Sequence, residues 1–138
     1  MSPPAISKAQ VQAVLDSIDK AFVKKDAAAV TANYTSNAVI TATIVEEGRT
    51  SKTKHIRDDY KQTLEAGFAD FTDYSLQRKD VTIEIAPDGK TAQCISTVVE
   101  KYRLYGKQEE AVSKESVTLA MSDDKVVVTD DHSDVSIK

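Results

Sequence analysis

The chain has a single cysteine, no excess of positive charge and no long apolar run, and each shortage removes a class of protein. Cys94 alone cannot close an intramolecular disulfide, so packing must stabilise the fold, with Cys94 itself expected as an inert core thiol. Lysine and arginine total 18 against 22 acidic residues, for a net charge of −4 and a pI near 5.2. Contact with phosphate needs a basic surface, which argues against nucleic acid as the main partner. No segment approaches the roughly 20 apolar residues of a membrane-spanning helix. There is neither a glycine-rich phosphate loop nor a nucleophile elbow, and no cofactor is expected. Met1-Ser2-Pro3-Pro4 lacks the basic and apolar regions of a signal peptide, which leaves the compartment open between cytoplasm and export with a leader removed.

What is present fits one α+β domain over residues 1–138, with a flexible start over about residues 1–6. The composition, 41% hydrophobic and 29% charged, is that of an ordinary globular chain. Ser7 and Gln10 form a capping box, and Val11, Val14, Leu15, Ile18 and Phe22 then recur at helical spacing. Asp26 can cap a short second helix from Ala27 to about Tyr34. The β-branched run over 37–45 predicts a strand, broken at Gly48. Ser51 is the expected cap of a third helix that buries Ile56, Tyr60 and Leu64 and stops at Gly67.

Beyond Phe68 the pattern changes to alternation, with strands expected at about 71–86, 91–105, 110–122 and 125–137. Their short links predict an antiparallel meander. In the first of these strands the apolar phase slips from Tyr74 and Leu76 to Val81, Ile83 and Ile85. That slip predicts a β-bulge near Gln77 to Asp80 and a bent sheet.

Turn positions also predict register. A turn centred on Lys107-Gln108 would pair Tyr102 with Ser113, Glu100 with Glu115 and Val98 with Val117. A turn at Asp123-Asp124 would pair Leu119 with Val128, Val117 with Asp130 and Glu115 with His132. A turn at Asp88-Gly89 would pair Ile83 with Cys94 and Val81 with Ser96. Glu100, Glu115 and His132 would then share one row on the helix-facing side. Two opposed carboxyls with an imidazole beside them are a candidate acid/base set. The same row at an open rim would be solvated and purely structural. A metal held by this trio is not expected, because no spacing motif supports it. His55, beside Lys54 and Arg57, is expected to face solvent.

The order helix–helix–strand–helix–meander resembles the nuclear transport factor 2-like superfamily, in its polyketide-cyclase-like and ketosteroid-isomerase-like bacterial branch. The resemblance is carried by three segments: Ala21-Phe22-Val23-Lys24-Lys25-Asp26-Ala27-Ala28-Ala29-Val30, then Tyr34-Thr35-Ser36-Asn37-Ala38-Val39, and the closing run from Lys125 to Ser133. It implies a cone, a strongly curved antiparallel sheet wrapped around the long first helix with two shorter helices, and it implies homodimers formed through the sheet. The first helix carries Phe22 and no tyrosine, so a ketosteroid-isomerase-like hydroxyl would have to come from Tyr34 or Tyr60.

Together these readings predict a pocket that binds a small organic molecule. Glu100, Glu115 and His132 would be its acid and base groups, and Tyr34, Tyr60, Val98, Tyr102, Val117 and Asp130 its ligand-binding residues. The rival reading is a non-catalytic interaction module that uses the outer sheet face near Thr118 and Thr129.

Overall fold

The computed structural model describes residues 5–138. Its helices are α1 (Lys8–Val23), α2 (Ala27–Thr31) and α3 (Arg57–Asp70). Its strands are β1 (Tyr34–Glu46), β2 (Arg49–Ile56), β3 (Phe71–Ile85), β4 (Thr91–Leu104), β5 (Lys107–Ser122) and β6 (Lys125–Ile137). They form one six-stranded sheet in the order β2-β1-β6-β5-β4-β3. The sheet curves around α1 without closing, and this α+β cone agrees with the fold the sequence predicts. It is antiparallel throughout the β3–β6 meander and in the β1–β2 hairpin, but β1 and β6 pair in parallel.

Helix α1 begins as expected. Ser7 Oγ accepts from the Gln10 N–H, and Gln10 Oε1 accepts from the Ser7 N–H. Its stripe of Val11, Leu15 and Ile18 is buried against Val117, Leu119 and Val128 in the main core. Burying such a side chain fully is worth about 1.5–3 kcal/mol. The expectation of a flexible start does not hold at Ile6. Ile6 is buried, and its N–H donates to Gly89 O at 2.9 Å; residues 1–4 lie outside the described part.

Two helical expectations are corrected. Helix α2 ends at Thr31 and Tyr34 already opens β1, because Asn33 O accepts from Val128 N–H at 2.8 Å and draws the chain into the sheet. Ser51 caps nothing, since 49–56 is strand β2 and α3 starts only at Arg57. The cause is the turn Glu47-Gly48. Both residues have left-handed backbone angles, φ +51° and +77°, which closes a two-residue hairpin. Ile56, expected in the core, is therefore 54% exposed at the end of an edge strand, and α3 runs past Gly67 to Asp70.

The predicted slip in β3 is present between Lys79 and Thr82, with Asp80 at φ +54°. Ile83 pairs with Cys94 as expected, but Val81 lies within the bulge rather than opposite Ser96 and is exposed. A second shift, between Thr72 and Ser75, adds to the bend. A bulge leaves one residue unpaired and increases local twist, which turns β3 back over α1.

Candidate active site

The register of the meander decides which side chains meet. The β4–β5 turn is Tyr105-Gly106, at φ +51° and +82°, not Lys107-Gln108. Every expected β4–β5 pair is therefore displaced by four residues. Tyr102 faces Glu109, Glu100 faces Ala111, Val98 faces Ser113, and Glu115 faces Ser96. An even displacement keeps each side chain on its face, so Glu100 and Glu115 still point inward, but not at each other.

The β5–β6 correction is different in kind. Leu119 pairs with Val128 as predicted, and then the register shifts by one residue between Thr118 and Leu119. Beyond that shift Val117 faces Asp131 instead of Asp130, and Glu115 faces Ser133 instead of His132. A one-residue slip exchanges the two faces of a strand. Asp131 consequently points into the cone and is 4% exposed, while Asp130 and His132 lie on the outside. His132 is held there by Thr41 Oγ1 at 2.7 Å and by Asp134 Oδ1 at 3.1 Å.

The inner cavity has a volume of about 280 Å³ and is walled by Tyr60, Arg78, Val98, Glu100, Glu115 and Asp131 among others. Arg78 organises its deep end. Its Nε and Nη2 donate to the two carboxylate oxygens of Asp19 on α1, at 2.9 and 2.8 Å. Its Nη1 donates to Glu115 Oε1 at 2.6 Å and to Ser96 Oγ at 2.7 Å. Burial opposes the guanidinium charge, but the bonds to Asp19 and the charge of Glu115 outweigh it and raise the group above its ordinary range.

Asp131 sits beside this cluster. Its Oδ2 accepts from Tyr34 Oη at 2.7 Å, whereas its Oδ1 meets no N–H or O–H donor among the described residues. Its neighbour on the adjacent strand is the Glu115 carboxyl. Burial first, then the charge of Glu115, push Asp131 well above the usual carboxylate range. Tyr34 and Tyr60 are likewise raised well above the ordinary phenol range, mainly by burial and then by Asp131.

Glu100 lies further along β4. Tyr74 Oη donates to its Oε2 at 2.5 Å. Burial raises the Glu100 carboxyl, and the Tyr74 bond works in the opposite direction. Glu100 also borders a second, mostly apolar cavity of about 360 Å³, where Phe22, Phe68, Phe71, Tyr102 and Leu104 form the wall. The two cavities share Phe22, Thr63, Glu100 and Val135, so they adjoin at these residues.

Of the residues the sequence singles out, Glu100, Glu115, Tyr60 and Val98 line the inner cavity and Tyr102 the apolar one. Tyr34 is buried behind the wall, touching the site through Asp131. Val117 packs in the core, where it is paired with Cys94 and Asp131, rather than lining the cavity. Sequence reasoning missed Asp19, Arg78, Tyr74 and Asp131. Among the described residues no group of three or more His, Cys, Asp or Glu side chains is placed to hold a metal ion, and no helix is long and apolar enough to cross a membrane.

No family model and no curated protein matches the chain. Solved structures do. A ketosteroid isomerase-like protein from Erwinia carotovora atroseptica superposes with a TM-score of 0.67 at 18% identity, over 92% of this chain and 94% of that one. A nuclear transport factor 2-like protein of unknown function from Pseudomonas putida KT2440 gives 0.72 at 14% identity, over 95% and 89%. LinA gives 0.74 at 10% identity, over 93% and 84%. These likenesses establish the fold as the nuclear transport factor 2-like cone that the sequence resembles.

Proposed function

We propose that the inner cavity binds a small uncharged organic molecule and transfers protons on it without a cofactor, as in isomerisation, dehydration or cyclisation. Asp131 is the acid, kept neutral by burial and by the nearby charge of Glu115, and Glu100 is a second carboxyl facing the ligand. The observation that carries this reading is Asp131 itself: buried, held by Tyr34, and with one oxygen facing no donor. A carboxylic acid kept neutral by its surroundings can donate to a carbonyl or hydroxyl oxygen and stabilise charge that develops there. Anions are disfavoured, because the one cation lining the cavity among the described residues, Arg78, already spends its donors on Asp19, Glu115 and Ser96. The apolar extension beyond Glu100 suits a ligand body that is hydrophobic. The fold neighbours whose names denote isomerase-like proteins are in keeping with this reading.

A thermal-shift screen of neutral phenols, ketones and enones against wild type and Asp131→Asn tests it. Each ligand-induced shift is taken from the variant's own baseline. Neutral hits that weaken at least tenfold in Asp131→Asn support the acid role. Equal binding by the variant, or a preference for anions, refutes it.

A second surface is favoured by a separate observation. On the outer face of the sheet Ile95 is 44% exposed, on the side that also carries Thr118. We propose this face as the contact of a homodimer, which sedimentation of wild type against Ile95→Lys would test. Dissociation in the variant supports it, and a wild-type monomer at all concentrations refutes it.

A further inference from the structure

His55 is the one residue of β2 that is not exposed. Its partner on β1 is Ile40, a buried residue of the cone interior, and Ile40 in turn pairs with Asp131 on β6. His55 therefore looks inward along the same cross-strand row as Asp131. Two strand spacings separate them, about 10 Å between backbones, and both line the inner cavity. The imidazole is oriented from the next element: Nδ1 lies 2.8 Å from Asp59 Oδ2, in the first turn of α3. The neighbouring acid, Asp58, pairs instead with Arg57. A carboxylate at Nδ1 fixes that nitrogen as the N–H donor and leaves Nε2 as an acceptor. Tyr60 stacks near the ring at 6.3 Å between centroids, and Tyr60 continues to Tyr34, which holds Asp131. An acceptor nitrogen and a buried acid thus line one cavity from the same row of the sheet, about two strand spacings apart.

We infer that His55, oriented by Asp59, is the base of this cavity and works with Asp131, two strands away on the same inner face, as the acid. The inference rests on the acid role proposed above for Asp131. His55 Nε2 takes a proton from carbon, and the electron pair of the broken C–H bond moves through the conjugated ligand to an oxygen or other leaving atom. That atom accepts a proton from Asp131, and Asp131 is reprotonated by way of His55 and solvent, so no oxidant or metal is required. The substrate class is a neutral, conjugated small molecule with an acidic C–H at one end and an oxygen at the other. Asp59 is a positioning residue, which sets the tautomer without touching the ligand.

The probe is 5-nitrobenzisoxazole, a neutral bicycle. Removal of its C3 proton forms a nitrile as the N–O bond breaks and the electron pair passes to the phenolic oxygen. The full chain is expected to turn it over. His55→Ala and His55→Gln should each lower kcat by about 10²-fold or more, the usual share of a general base. Added imidazole should restore part of the rate in His55→Ala and change nothing in wild type. Asp59→Asn should lower kcat while leaving KM unchanged. Wild-type kcat in both His55 variants, or a loss that imidazole does not rescue, overturns the inference. If Asp131→Asn abolishes turnover while the His55 variants retain it, the base assignment falls and the acid reading stands. If wild type does not accelerate the reaction at all, both fall.

Discussion

Arg78→Met is the substitution with the most to say about how the cone is held together. The Arg78 side chain is 7% exposed and ties two carboxylates of similar seclusion, Asp19 at 19% and Glu115 at 15%. Methionine fills most of the volume but leaves both acids facing each other without a cation. Removing one partner of a buried ion pair costs about 3–5 kcal/mol, largely because the remaining charge is stranded. Unfolding entropy near 2.1 cal/mol/K per residue, over 138 residues, converts this to a fall in Tm of roughly 10–17 °C. Asp19→Asn alone keeps Arg78 paired with Glu115 and Ser96, so it should cost only about 1.5–3 kcal/mol. The double variant should be more stable than the sum of the two singles by about 1–3 kcal/mol, since each single removes part of the same contact. The assays are thermal unfolding, for Tm, and urea unfolding, for the free energies, of the four proteins at neutral pH. A Tm for Arg78→Met within about 3 °C of wild type, or additivity within about 0.5 kcal/mol, would refute the view that Arg78 neutralises this end of the cavity.

Two further outcomes follow from the same structure. Asp131 is raised by burial and by Glu115, so the folded chain holds its proton more tightly than the unfolded one. Its stabilising contribution is complete below the ordinary aspartate range, about pH 4, and is lost as pH rises towards the folded value. Asp131→Asn keeps an acceptor for Tyr34, so it should be more stable than wild type at neutral pH and equal to it below about pH 4; a pH-independent difference in urea midpoint would contradict this. Gly89→Ala should destabilise by clearly more than Gly106→Ala. Both glycines have positive φ, +71° and +82°, but only at Gly89 would the new Cβ fall 2.5 Å from Ala5 Cβ. Gly106→Ala should cost about 1 kcal/mol for backbone strain, and equal midpoints would show that the N-terminal segment gives way freely.

Much of the fold was legible because its determinants are local. The Ser7–Gln10 box, the α1 stripe and the turn at Asp123-Asp124 are each specified within a few residues, and all are present. The β3 slip could also be read, because the apolar phase changes inside a single run. What was misread is the hairpin signal of a polar or aromatic residue before glycine. Glu47-Gly48 and Tyr105-Gly106 both close two-residue turns with positive φ at each position, as Asp123-Asp124 does. Reading Glu47-Gly48 in that way turns residues 49–56 from a capped helix into strand β2 and brings His55 to the interior.

The site was less legible because its residues come from seven different elements and its acid depends on a register shift of one residue. Asp19 lies one turn after Leu15 beside the buried stripe of α1, and an acid there signals a partner; Arg78 falls in phase with Tyr74 and Leu76, which signals that it faces α1. Those two positions could have been paired from periodicity. Asp131 could not, because Val126, Val127 and Val128 are all buried and carry no alternation through which a bulge would show. Asp130-Asp131-His132 offers three ionisable neighbours, and the local pattern favours none of them for the interior. The choice is made by the parallel neighbour β1, where Ile40 and Ala42 face inward opposite Asp131 and Ser133. Two strands with fixed inward residues hold β6 between them, and only the one-residue shift near Thr129 satisfies both that pairing and Leu119 against Val128. The acid at the centre of the cavity is therefore set by long-range strand pairing, and a substitution that eased the bulge would be expected to exchange Asp131 for Asp130, and Ser133 for His132, before it unfolded the chain.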